Sequence, residues 1–117
     1  MRPSLMRTGL ALLVLLGAAV LEAGGDAIVR RGLHGAFTPA LRLGLIAAGG
    51  LVLLAYGVTV NLPPWDFGRL LGIYMTLFFL VAQIINLVVF GVAPTMPVIV
   101  GGALVIAGGL VMTFWTV

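Results

Sequence analysis

Two carboxylic acids, Glu22 and Asp26, lie four residues apart inside an apolar run that extends from Gly9 to Val29. A four-residue spacing returns to the same face of a helix. Glu22 stands three residues from the centre of the run, roughly 4.5 Å along the axis at a rise of 1.5 Å per residue. A charged side chain at the centre of a bilayer costs about 2.5–3.5 kcal/mol on insertion scales, and such residues normally face a cavity or a partner. In low dielectric a carboxyl is stable when neutralised, so a group here can bind a proton at one pH and a cation at another. The plainer reading is a neutral Glu22 hydrogen-bonded inside a helix bundle. Asp26 has two readings of equal standing. It shares a proton with Glu22, since adjacent carboxyls resist double ionisation, or it pairs with Arg30, four residues further on. Tyr74 offers a hydroxyl to a carboxylate and a ring to a cation; its alternative is an interfacial belt tyrosine. Gln83 falls on the face opposite Tyr74 at 100° per residue. With Asn86 three residues later it reads as hydrogen-bonding glue between helices rather than as a ligand.

The elements that must hold these groups are legible as four apolar runs, 9–29, 41–60, 70–90 and 98–117. Each is near the roughly 20 residues needed to cross about 30 Å of hydrocarbon. The separators hold most of the charge and proline: Arg30, Arg31, Gly32, His34 and Pro39, then Asn61, Pro63, Pro64, Trp65, Asp66 and Gly68, then Gly91, Pro94, Thr95 and Pro97. Proline lacks an amide donor and disfavours helix in the residue before it. A membrane β-barrel would show shorter segments of alternating polarity, and these runs are too long and too uniformly apolar for that. Arg2 and Arg7 ahead of Leu10–Val20 resemble a signal peptide, with Gly17 and Ala19 as a small-x-small pair. The apolar run continues past them, so a first membrane helix is the expectation. The fold class is an all-α integral membrane protein, one domain of four transmembrane helices over 1–117.

Composition excludes other classes. The chain has 117 residues, of which 62% are hydrophobic and 8% charged, where soluble domains carry about 25% charged residues. The pI of 10.7 rests on six arginines against three acids and describes no basic patch for nucleic acid. Without cysteine there is no disulfide or thiolate metal site, and a single histidine, His34, forms no metal cluster. No nucleotide-binding loop, catalytic triad or metal-ligand spacing occurs, so neither an enzyme nor a cofactor is expected.

Orientation follows from arginine counting. Four spans put Arg2, Arg7 and Arg69 on one side and Arg30, Arg31 and Arg42 on the other. Arginine and lysine favour the cytoplasmic side, and an even split gives no preference. The expectation is that both orientations insert and that oppositely oriented copies pair as an antiparallel homodimer; the alternative is that one orientation wins through arginine placement or the lipid field. The fourth run repeats glycines seven apart, Gly101 with Gly108 and Gly102 with Gly109. Small residues let membrane helices approach closely, so the stripe, Gly101 and Gly108 above all, reads as a subunit interface, with packing inside one chain as its alternative. Trp65 and Trp115 read as surface anchors, and Asp66 as the cap of the third helix.

Taken together, these motifs resemble the small multidrug resistance family of the drug/metabolite transporter superfamily. The first helix of that family carries a central Glu, a Gly three later and a basic residue eight later, matched here by Glu22, Gly25 and Arg30. Its fourth helix follows a proline and carries glycines seven apart, matched by Pro97, Gly101 and Gly108. The resemblance covers nearly the whole chain. It implies an antiparallel homodimer of four-helix subunits in a bacterial-type inner membrane, with one Glu per subunit facing a shared chamber. There protons and a cationic substrate bind competitively and alternating access couples their flows. Carried over by residue, the shared carboxylate is Glu22, the chamber aromatic is Tyr74 and the dimer glycines are Gly101 and Gly108. The chain departs from the family in four places. Met75–Phe78 lacks the glycine kink of the third helix, Leu71 replaces an aromatic, the second span has no serine or threonine between Gly44 and Tyr56, and Asp26 is not a usual feature of its position. The expected function is proton-coupled export of small or lipophilic cations. The alternative is a non-transporting membrane protein that uses its polar face to assemble with a partner.

Overall fold

The structure, a computed structural model, describes residues 3–115, with side chains from 7 onward. It contains α1 (Pro3–His34), α2 (Pro39–Val60), α3 (Phe67–Val88) and α4 (Met96–Phe114), and no strand among the described residues. All four helices are long and apolar enough to cross a membrane. Arg2 and the end of the fourth expected span, Thr116 and Val117, lie outside the described residues.

Short polar side chains and prolines set the helix starts. Thr38 accepts the Leu41 amide on its hydroxyl at 3.3 Å and Pro39 opens α2. Asp66 Oδ2 accepts the Arg69 amide at 3.0 Å, the expected cap of α3; a side-chain acceptor there satisfies one of the orphan amides of the first turn. That bond starts α3 at Phe67, three residues ahead of the apolar run. At its far end Gly91 takes φ +67°, and the reversal brings the Val92 amide to the Asn86 carbonyl at 3.0 Å.

The first helix outruns its expected span at both ends. Arg30, Arg31, Gly32 and His34, expected as the break, are helical. Arginine is a good helix former, and cations near a helix C-terminus complement its dipole, so charge here marks the membrane boundary rather than the end of the helix. The 32 residues span about 48 Å, more than the hydrocarbon thickness of about 30 Å. Both ends therefore reach the interfacial layers.

Consecutive helices run antiparallel. α1 packs on α2 and α3, and α4 packs principally on α3. Between α1 and α2 the backbones nearly touch. A Cβ on Gly49 would stand 2.8 Å from the Gly25 carbonyl and 2.6 Å from Val29 Cγ2. Between α1 and α3 the core comprises Leu15, Ala18, Ala19 and Ala23 against Leu70, Ile73, Tyr74 and Val81. Three alanines on α1 bring α3 close and leave room for its tyrosine. Between α3 and α4 the second glycine pair does the work: Gly102 seats the Phe79 ring and Gly109 seats Thr76. The Thr76 hydroxyl donates to the Val105 carbonyl at 3.1 Å. Arg69 donates to the carbonyls of Met112 and Thr113 at 3.1 and 3.4 Å, answering carbonyls that the end of α4 leaves free, and its guanidinium lies 5.3 Å from the Trp65 ring.

Candidate functional site

The Tyr74 hydroxyl donates a hydrogen bond to Glu22 Oε1 at 3.0 Å. The bond joins α1 to α3 across a separation of 52 residues in sequence. Glu22 is half-buried and Tyr74 is 2% exposed. The tyrosine is therefore the fixed member, held by the core, and the carboxylate comes to it while keeping one side open. Phe78, one turn further along α3, stacks on Tyr74 with ring centres 6.0 Å apart.

A third polar residue joins them that the sequence reading did not single out. Tyr56 of α2 has its ring centre 5.7 Å from that of Tyr74, tilted by 31°, and its hydroxyl lies within electrostatic reach of Glu22. The signal was available: tyrosine within an apolar span, four residues from its end, is rarer than leucine or valine and brings a hydroxyl that seeks a partner. What the sequence could not supply was the register between α2 and α3. The Gly25–Gly49 contact sets α2 against α1, and the alanine face of α1 sets α3.

Asp26 lies one turn further along α1, within electrostatic reach of Tyr56 and Tyr74 but without a hydrogen bond to them. It is exposed on α1 and forms neither a hydrogen bond with Glu22 nor an ion pair with Arg30 among the described residues. A step of four residues advances 40° round a 3.6-residue helix. Ala23 is in the core and Gly25 is against α2, so Glu22 and Asp26 both fall on the side of α1 between α2 and α3, Asp26 at its exposed edge. Arg30 turns instead to Phe90, its guanidinium 6.0 Å from the ring centre. The reading of Gln83 and Asn86 as glue between helices is not met within one chain. Both line an open cleft between α1 and α3, together with Ala23, Arg30 and Phe90, and neither amide hydrogen-bonds through its side chain among the described residues.

The two glycine pairs of α4 separate. Gly102 and Gly109 are buried against α3, whereas Gly101 and Gly108 have nothing within 4 Å of an added Cβ. Trp115 is exposed and Trp65 lies under Arg69. His34 is exposed in the last turn of α1.

Comparison with models of protein families, with curated proteins and with solved structures finds no match to this chain. Fold and site together define its class. It is a multi-pass α-helical membrane protein that carries a phenol-bound carboxylate between its first and third helices.

Proposed function

We propose that the protein is a proton-coupled exporter of small or lipophilic cations, of the small multidrug resistance type, with Glu22 as the site that protons and substrate share. The observation that carries the reading is the Tyr74–Glu22 hydrogen bond, a carboxylate within a membrane-spanning helix held by a buried phenol and flanked by Tyr56. A carboxylate in low dielectric is stabilised by one neutralising partner, and a second adds little. Proton and cation therefore exclude each other, and a proton gradient drives the cation out. Tyr74 fixes the carboxylate, and the part-buried ring of Tyr56 offers a face to a cation, an attraction worth about 2 kcal/mol when desolvated. In this proposal two copies pair antiparallel in an inner membrane of bacterial type, the open glycines Gly101 and Gly108 meet at the subunit interface, and no enzyme chemistry or cofactor is involved.

A second reading, a non-transporting assembly protein, is favoured by one feature: α3 runs unbroken through Met75–Phe78, with no hinge to bend between states. Proton counting separates the two. Purified protein in weakly buffered detergent is titrated with tetraphenylphosphonium, a lipophilic cation. Exporter chemistry releases protons as the cation binds, and the release disappears in Glu22→Gln. An absence of binding and release at every pH from 5 to 9 would move the assignment to the assembly reading.

A further inference from the structure

The end of the molecule where α1 finishes and α2 begins gathers positive charge without an acidic counterpart. Arg30 and Arg31 both lie against the Phe90 ring, at 6.0 and 5.7 Å from its centre. Arg42 reaches the same loop and donates to the Gly35 carbonyl at 3.1 Å. Of the three acids in the chain, Asp66 caps α3 at the opposite end, Glu22 is bound to Tyr74, and Asp26 forms no ion pair with Arg30 among the described residues. The opposite end is different in kind. There Arg69 is committed to two carbonyls and a tryptophan.

Two recesses meet at this basic end and share Arg30 and Phe90. The smaller, about 270 Å³, is lined by Arg30, Arg31, His34 and Phe37 as well as Phe90. The larger, about 480 Å³, runs between α1 and α3 to the amides of Gln83 and Asn86. Arg31 uses one nitrogen on the Val89 carbonyl at 3.3 Å, and Arg30 makes no hydrogen bond through its guanidinium among the described residues. A guanidinium presents a planar fork of donors that suits phosphate oxygens. Phe90 holds the two forks side by side, and the amides behind them suit the ester and glycerol oxygens of a phosphodiester. The position, at the boundary of the apolar spans, is where a bilayer presents its phosphates, and basic pockets between membrane helices are a recurrent seat for anionic headgroups.

We propose that the Arg30–Arg31–Phe90 end, with the amide-lined recess behind it, binds the phosphate headgroup of an anionic phospholipid. The inference does not depend on transport: it stands on the basic end alone and is read without any cation substrate.

The test uses the full chain purified in a neutral detergent, with phosphatidylglycerol, phosphatidylcholine and inorganic phosphate as probes and intact-complex mass spectrometry as the readout of bound lipid. The protein is expected to retain phosphatidylglycerol and to lose phosphatidylcholine. Each basic residue near a membrane surface contributes about fivefold in attraction. Arg30→Gln and Arg31→Gln should therefore each weaken phosphatidylglycerol binding about fivefold, and the pair more than tenfold. Arg7→Gln, at the other end, should leave it unchanged. Arg30→Lys/Arg31→Lys keeps the charge but removes the planar forks. It guards against loss of folding in the glutamine pair and should weaken binding by an intermediate amount. Equal weakening by Arg7→Gln would reduce the effect to net charge and overturn the site. Full displacement of phosphatidylglycerol by millimolar inorganic phosphate would make it a site for free phosphate and overturn the lipid assignment.

Discussion

Tyr74 and Glu22 form an asymmetric pair: the phenol is locked in the core of the helix packing, and the carboxylate that accepts its hydrogen bond at 3.0 Å is only half-buried. The donor's position is fixed by Ala18, Ala19 and Ala23 of α1, which admit α3 closely enough for a ring to sit between the helices. The acceptor keeps a side on which a proton or cation can approach. In the proposed mechanism that division of labour makes Tyr74 a positioning residue and Glu22 the group that exchanges.

Tyr74→Phe keeps the ring and deletes the donor. Hydrogen bonds between membrane helices are worth about 0.6–2 kcal/mol, so cation affinity should fall about 3–30-fold. Titrating parent and variant with the cation checks this, and an unchanged affinity would show that the phenol does not hold the carboxylate for the cation.

Glu22→Gln keeps the size of the side chain and cannot ionise. It should abolish cation binding and coupled proton release while helicity and assembly state are retained, as read by circular dichroism and size-exclusion chromatography. Asp26→Asn should leave binding within about threefold of the parent, because Asp26 is exposed and takes no part in the Glu22–Tyr74 hydrogen bond. A loss as complete as that of Glu22→Gln would mean that the two acids share a proton after all. Proton-coupled transport by the Glu22→Gln protein would remove the mechanism altogether.

Gly49→Ala tests the contact that sets α2. Its new methyl would meet the Gly25 carbonyl at 2.8 Å, a backbone atom that cannot swing aside. Overpacking of this kind typically costs about 1–3 kcal/mol. Gly50→Ala meets nothing within 4 Å and should stay within about 0.5 kcal/mol of the parent, the range of substitutions that touch nothing. Unfolding in mixed micelles should separate the two. Equal stabilities would mean that α1 and α2 stand further apart than the glycines allow.

Helix number, approximate spans, the Asp66 cap and Glu22 and Tyr74 as polar groups within the spans were legible because each follows from local pattern: a long apolar run, a polar residue before it, a polar residue within it. The end of α1 was misplaced because charge was read as a stop signal, whereas Arg30 and Arg31 continue the helix into the interfacial layer. Tyr56 and the different settings of Glu22, bonded to Tyr74, and Asp26, exposed, were not legible. Both depend on the rotation of one helix against another, which the Gly25–Gly49 and alanine contacts settle only when three helices are packed together. The split between the two glycine pairs of α4 is of the same kind. Sequence gives both pairs the same spacing, and only the position of α3 distinguishes them.

The arginine split bears on insertion. Arg2, Arg7 and Arg69 balance Arg30, Arg31 and Arg42, so a single cysteine near the N-terminus should be labelled from both sides of the membrane in one preparation. The chain has no cysteine of its own, which makes Ser4→Cys a unique label. Removing one charge should tip the balance. Arg42→Gln leaves three arginines on the N-terminal side against two, which favours a cytoplasmic N-terminus. Labelling of the parent from one side only would exclude dual insertion.

The last expectation concerns α4, whose two glycine pairs should respond differently to bulk. Gly101→Leu and Gly108→Leu add side chains where nothing lies within 4 Å. They should leave the unfolding of the single chain nearly unchanged, yet weaken self-association, because close approach is what binds membrane helices in the absence of a hydrophobic drive. Gly109→Leu drives a side chain into Thr76 and disturbs the hydroxyl that reaches Val105. It should loosen α4 from α3 and cost about 1–3 kcal/mol of stability whether or not the protein is dimeric. Measuring the dimer fraction by fluorescence energy transfer and unfolding in the same detergent keeps the two effects separate. An unchanged dimer fraction in the Gly101→Leu/Gly108→Leu protein would place the subunit interface on another helix face.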